Sequence, residues 1–401
     1  MSTHEPAERL HGLDALRAGA LLLGVVLHAS LSFFPEQMWI VADDSRSVGA
    51  AWLFFAIHLF RMTAFFLIAG LFAHMMLARK GWFGFAKDRV IRIAGPLVAF
   101  WFPVMGGIVA ALVWNAQVNG LITPGAPPPP TPTYDWTNLP LTHLWFLWVL
   151  MIFYAALLIL RLPFAALDRG GGWGRAVDRL TDLLTGPWTP FILAVPLAYA
   201  LWLDPKWIAY FLVPTPDTGL VPNTAALIGF GLAFGYGFLL DRRRDLLDRI
   251  AAWSPLFLIT AVATGVIAYG LAGGPNLMPM GEPTQAKAVA AGVAAVAVYC
   301  SAFAAMGLSL KFLSGHSAIR RYLADASYWI YILHLPLVML AQVWVQDWPA
   351  PWWLKLGGVS LGVLAVCLAS YELTVRHGFM GRWLNGRRIP WKRAAQADAA
   401  E

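Results

Sequence analysis

The first hydrophobic run of this chain, residues 12–30, holds three side chains capable of ionic or acid–base chemistry: Asp14, Arg17 and His28. Arg17 and His28 are eleven residues apart. At about 100° per residue, eleven steps return a helical side chain to within about 20° of its first direction. The two therefore share one stripe of a helix, separated by about 16 Å along its axis. Asp14 stands one turn before Arg17 on the same side. An ionised group inside a membrane helix costs about 2.5 kcal/mol or more unless it faces a partner or a wet cavity, which makes Arg17 and Asp14 functional candidates. An imidazole in the same stripe titrates near neutrality and can take a proton from a hydroxyl. The plainer alternative is a structural Asp14–Arg17 pair near one helix end and a satisfied interior His28.

Later runs hold comparable groups. His58 and Arg61 are one turn apart within 52–70 and share a face. With His28 at a similar depth they would line a polar cavity in the outer half of a membrane. Alternatively, Arg61 pairs with a carboxylate elsewhere and His58 only caps a polar contact. Arg89 and Arg92, again a turn apart, suit phosphate oxygens because guanidinium donors form a rigid fork; charge bias between loops also accounts for basic residues there. His143 and Trp145 open another run, where Trp serves either as an interface belt or as a face for sugars. Tyr331 and His334 precede Pro336, a helix-perturbing residue. Glu372 has Arg376 one turn later as an internal partner.

The elements that position these groups follow from composition. The chain has 401 residues, of which 59% are hydrophobic and only 13% charged, and this excludes a soluble domain in favour of an all-α, polytopic membrane protein. Hydrophobic stretches at 13–33, 50–77, 93–116, 142–161, 188–204, 221–240, 252–272, 288–311, 325–346 and 353–376 predict about ten transmembrane helices, with 188–204 the shortest. Sixteen Lys and Arg fall in one set of connections, among them Arg79, Lys80, Arg169, Arg243 and Arg320, against Arg46, Lys206, Lys287 and Lys355 in the other. The positive-inside rule then puts both termini in the cytoplasm. The same asymmetry accounts for the net charge of +7 without a nucleic-acid partner. Ionisable residues inside the first run argue against a signal peptide. Cys300 and Cys367 both fall within expected spans, which leaves no basis for a disulfide or a metal site. The Pro-rich stretch 123–133 reads as a stiff outer loop. Residues 1–380 form one expected membrane domain, and 381–401 a basic, then polar, cytoplasmic tail, disordered after Arg382 and touching anionic lipid.

Taken together, the Leu13-Asp14-x-Leu16-Arg17 phrase with His28, the Arg89-x-x-Arg92 pair and Tyr331-x-x-His334-x-Pro336 resemble the acyltransferase-3 family, integral membrane O-acyltransferases with a ten-helix core. The phrases Phe60-Arg61-Met62, His143-Leu144-Trp145-Phe146-Leu147, Asp325-Ala326-Ser327-Tyr328 and Tyr371-Glu372 are similar to the branch associated with succinylation of osmoregulated periplasmic glucans. The resemblance runs from about Leu13 to Arg376; the Pro-rich stretch matches no part of it, which leaves the acceptor sugar open.

The resemblance implies transfer of a succinyl or acetyl group from cytoplasmic acyl-coenzyme A to hydroxyls of a periplasmic glucan or other extracytoplasmic glycan, in the bacterial inner membrane. Acyl-coenzyme A would be a co-substrate, with no tightly bound cofactor and no metal. The expected catalytic residues are His28, Arg17, Asp14, His58 and Arg61. The expected substrate-binding residues are Arg89, Arg92, His143, Trp145, Tyr331, His334 and Glu372. Expected partners are the two substrates, the bilayer, and either a second copy of the chain or glucan-synthesising membrane proteins. Two other classes tolerate buried Arg and His: a glycan or anion transporter, which should show matching Gly/Pro-broken helices in two halves, and a haem protein using His28, His58 or His334 as axial ligands.

Overall fold

A computed structural model describes residues 11–122, 133–168, 171–386 and 389. These fold into twelve α-helices, and there is no β-strand among the described residues. In chain order they are α1 (His11–Ser30), α2 (Val48–Arg89), α3 (Gly95–Val118), α4 (Trp145–Leu167), α5 (Gly172–Leu184), α6 (Thr189–Leu203), α7 (Thr224–Arg242), α8 (Leu246–Leu271), α9 (Gln285–Phe312), α10 (Ala318–Val345), α11 (Trp352–Ser370) and α12 (Phe379–Asn385). Polar side chains start several of them: the side chains of Ser47, Asn223, Thr284 and Ser317 accept from backbone N–H groups of the first turns of α2, α7, α9 and α10.

Among the described residues, eight helical stretches are long and apolar enough to span a membrane, or nine if α5 and α6 count as one bent span. One stretch, Val48–Val118, is 71 residues long and covers two expected spans. At about 1.5 Å per residue it is over three times the roughly 30 Å bilayer core, long enough for two crossings. The expected basic loop at 78–92 is a correction: the chain stays helical there, broken by Gly81 at φ 68° and by a π-helical turn at Val90–Ala94. The expected span 188–204 is the 15-residue α6, and α5 meets it at 96°. α5 was not foreseen. Its Asp178 and Asp182 pair with Arg242 (2.7 Å) and Arg249 (3.1 Å), so part of the basic charge around 242–249 is locked to this amphipathic helix.

The helix that carries His58 and Arg61 is held by close backbone contact. A Cβ on Gly70 would collide with the carbonyl of Phe234, and one on Gly237 with that of Leu67, so α2 and α7 touch only because both positions lack side chains. Two lysines expected in outer loops are helical and buried. Lys355 pairs with Asp43 at 2.8 Å, and the Lys287 amine donates to the carbonyls of Asp204 and Gly281. The expected disordered tail is corrected at its start. Trp383 donates to the carbonyl of Ile91 (2.7 Å) and stacks on Phe100, and Asn385 donates to the carbonyl of Asp325. Residues 387–388 and 390–401, the Pro-rich 123–132 and Arg169 lie outside the described residues.

Candidate active site

Helices α1, α2, α4 and α10 close around a cavity of about 380 Å³, whose far rim is the loop before α7. Seven of the twelve expected site residues line it: His28, His58, Arg61, His143, Trp145, Tyr331 and His334. Residues 300 positions apart in sequence therefore meet in one polar pocket. The ring centres of His28 and His334 lie 5.3 Å apart, and those of His143 and His334 4.9 Å. His58 stacks on Phe54 at 5.3 Å on the α2 side. Arg61 reaches across to α1, where a Cβ on Gly24 would lie 2.7 Å from its Nη1 and 3.6 Å from Nε2 of His334. Gly24, one turn before His28, is thus the space the guanidinium occupies.

The helix-perturbing Pro336 has a definite effect. α10 runs through it unbroken, but Pro336 has no N–H to give the carbonyl four residues back, which belongs to Ile332. That carbonyl instead accepts from Nε2 of His143 at 3.1 Å. The Tyr331 hydroxyl donates to the carbonyl of His143 at 2.7 Å, so α10 clamps both ends of this residue. The backbone of Thr142 contributes as well. It holds φ at 49°, uncommon for a β-branched residue, while its N–H donates to the carbonyl of Asp217.

Hydrogen bonding assigns the imidazole protons. Nδ1 of His334 lies 2.7 Å from the carbonyl of Tyr331, which only accepts, so Nδ1 carries the hydrogen and Nε2 keeps its lone pair. Nε2 of His334 is buried without a partner, as are Nδ1 of His28, Nδ1 of His58 and Nε of Arg61. Among the described residues no carboxylate pairs with Arg61. Buried polar atoms are nearly always satisfied; four unsatisfied ones around a single cavity mark a place built for a polar occupant.

The other expected residues lie elsewhere. Arg17 pairs with Asp14 at 3.3 Å and packs over Phe72, one turn from the lining residues Ala20 and Leu21. Arg89 and Arg92 surround Asp88 together with Lys80; Arg89 also packs against the rings of Phe85 and Tyr154. This cluster reaches the cavity through aromatic rings. Tyr328 donates to the carbonyl of Arg92 and stacks on Tyr331, which lines the pocket. Glu372 is bound by Arg376 (2.9 Å), His377 and Tyr322 and does not line the cavity.

The sequence reading missed Trp39 at the cavity wall, Asp88 within the basic cluster, and the pair His74–Asp241 (2.7 Å) between α2 and α7. Asp88 had a signal, since it is the one acid between Lys87 and Arg89. Trp39 had none, because its loop has no periodicity.

An all-α bundle whose interior collects four histidines and an arginine has the form of a membrane enzyme acting on polar substrates. Residues 10–372 match the family described as an acyltransferase domain, acyltransferase-3. The chain therefore belongs to the acyltransferase-3 family and is a multi-pass membrane acyltransferase. Glucans biosynthesis protein C of Escherichia coli O81 (strain ED1a) is 24% identical over 398 residues, 96% of each chain. The proteins of that name in Escherichia coli (strain K12) and Shigella dysenteriae serotype 1 (strain Sd197) are 32% identical over 154 residues, 37% of each chain. No solved structure matches.

Proposed function

We propose that this protein transfers a succinyl group from cytoplasmic acyl-coenzyme A to hydroxyls of a periplasmic glucan, in the bacterial inner membrane and with both termini cytoplasmic. The observation that carries the reading is Arg61, a guanidinium facing the histidine-lined cavity with no carboxylate partner among the described residues. The distal carboxylate of a succinyl group supplies the missing partner, and an acetyl group does not. The names of the relatives support a glucan acceptor.

In this reading the cluster of Lys80, Arg89 and Arg92, which shares the single carboxylate of Asp88 among the described residues, holds the phosphates of the donor. The pantetheine arm passes Tyr328 and Tyr331 to bring the thioester to the cavity. His28 takes the proton of the glucan hydroxyl as its oxygen attacks the thioester carbonyl. Collapse of the tetrahedral intermediate forms the ester and breaks the carbon–sulfur bond. The departing thiolate recovers the proton from the His28 imidazolium, leaving free coenzyme A. His334, with its ring centre 5.3 Å from that of His28 and its lone pair unpartnered, is a second acceptor for the incoming hydroxyl.

Donor discrimination tests this directly. Transfer to glucan is measured for Arg61→Gln and wild type with succinyl- and acetyl-coenzyme A. Loss of a charge-assisted contact of about 1.5–3 kcal/mol predicts a fall of more than about tenfold for succinyl and a smaller one for acetyl. An equal fall for both donors, or a wild type that uses acetyl and not succinyl, overturns the donor assignment.

A further inference from the structure

The connection between α1 and α2 is tied down at several points. Asp43 N–H donates to the carbonyl of Ser32 (3.0 Å) and Ser47 N–H to that of Phe33 (2.8 Å). The buried carboxylate of Asp43 accepts from Nζ of Lys355 at 2.8 and 3.0 Å, and Lys355 also donates to the carbonyl of Gln346. Buried ion pairs contribute little net stability but cost much when one partner is removed, so this one fixes where the segment lies. The segment carries Trp39 to the cavity wall, with its ring centre 6.3 Å from that of His28.

Trp39 is oriented by a single amide. Its Nε1 donates to Oε1 of Gln342 on α10 at 2.9 Å. Gln342, only 1% exposed, turns its NH₂ to the carbonyls of His28 (2.9 Å) and Ala29 (3.2 Å) in the last turn of α1. One side chain thereby sets the plane of the indole and the backbone of His28 together. Other cavity aromatics are engaged with rings: Trp145 stacks on Phe230, Phe54 on His58 and Tyr210, and Phe65 meets Phe146. Among the described residues the ring neighbour of Trp39 is His28; with its N–H occupied, the partly buried indole meets the cavity through its ring carbons.

We propose that Trp39 is the platform for the acceptor sugar and that Gln342 is the positioning residue that holds it beside His28. A pyranose ring packs its C–H face on an indole while its hydroxyls project from the edge, which here points them at the imidazole. The inference rests on the acceptor being a glycan, as proposed above.

Calorimetric titration of the full-length protein in lipid nanodiscs with laminarihexaose, without acyl-coenzyme A, tests it. Trp39→Ala and Trp39→Leu should weaken binding about tenfold, the order expected for one lost stacked ring, while Trp39→Phe stays within about threefold. In transfer assays the same variants should raise KM for glucan and move KM for the acyl donor less than about twofold. Gln342→Leu should raise KM for glucan in the wild-type background and leave that KM unchanged in the Trp39→Ala background, because its effect on KM runs through the ring. Its lost bonds to the carbonyls of His28 and Ala29 should lower kcat in both. Saturable binding unchanged by Trp39→Leu, no binding to wild type, or multiplying effects of the two substitutions on KM for glucan would overturn the proposal. Trp39-dependent glucan binding without succinyl transfer would instead refute the donor reading alone.

Discussion

Nδ1 of His28, Nδ1 of His58 and Nε2 of His334 face one cavity without partners, and they are not equivalent. The proton of His334 is committed to the carbonyl of Tyr331, and His58 stacks between α2 and the loop at Phe211. His28 stands between Arg61, Trp39 and His334, which favours it as the group that accepts the proton. Its removal opens no apolar void, so His28→Ala and His28→Gln should insert and fold normally while transfer falls at least about a hundredfold. A His58→Ala loss as large as that of His28→Ala would reassign the base. At the opposite cluster, Arg89→Ala and Arg92→Ala should raise KM for acyl-coenzyme A more than KM for glucan; equal effects would make the pair structural. The histidines were legible because spacing places them on inward faces. Asp88 also had a signal, but positive-inside reasoning counts cations and passes over an acid among them. The spacing that links Arg17 to His28 did not show that Arg17 stays beside Asp14 outside the cavity.

At the scale of elements, α10 is the frame of the site. Pro336 frees the carbonyl that orients His143, and Gly107 of α3 packs directly on the proline ring. Pro336→Ala restores an N–H that competes for the carbonyl of Ile332, so transfer should drop several-fold while thermal stability holds or rises, as read by activity beside a melting curve. A melt that drops along with activity would mean that Pro336 acts through packing. Gly70→Val and Gly237→Val must push α2 from α7; overpacking of about 1–3 kcal/mol predicts a lower melting temperature for either. The sequence announced these helices through hydrophobic runs but not their joints. Residues 78–92 look like a loop because they are charged, yet apart from the kink at Gly81 they are helical up to the π-helical turn. α5 escaped notice because polar residues and glycines interrupt its apolar positions, so no hydrophobic run marks it.

For the whole molecule, the cluster of Lys80, Arg89 and Arg92 lies near the C-terminal end of α2 and its π-helical extension, whereas His58 and Arg61 line the cavity from the N-terminal half of α2, the separation that the proposed inner donor and outer acceptor would need. Cysteine introduced at Arg243 or Arg320 should be labelled only after the cytoplasmic face is opened, and cysteine at 124–132 should be labelled in intact cells. Reversed labelling would remove the basis for a cytoplasmic donor. Membrane class was written in composition alone, whereas Trp39 sits in a connection whose irregular backbone leaves no periodic pattern to read.

The most direct test of the central claim follows label from donor to glycan. Purified protein is given succinyl-coenzyme A, labelled in the acyl group, and a periplasmic glucan. Wild type should move the label into glucan as an alkali-labile ester with release of coenzyme A, and His28→Gln should do so at least about a hundredfold more slowly. Label that stays on coenzyme A with wild type, or reaches glucan equally fast with His28→Gln, would contradict the account.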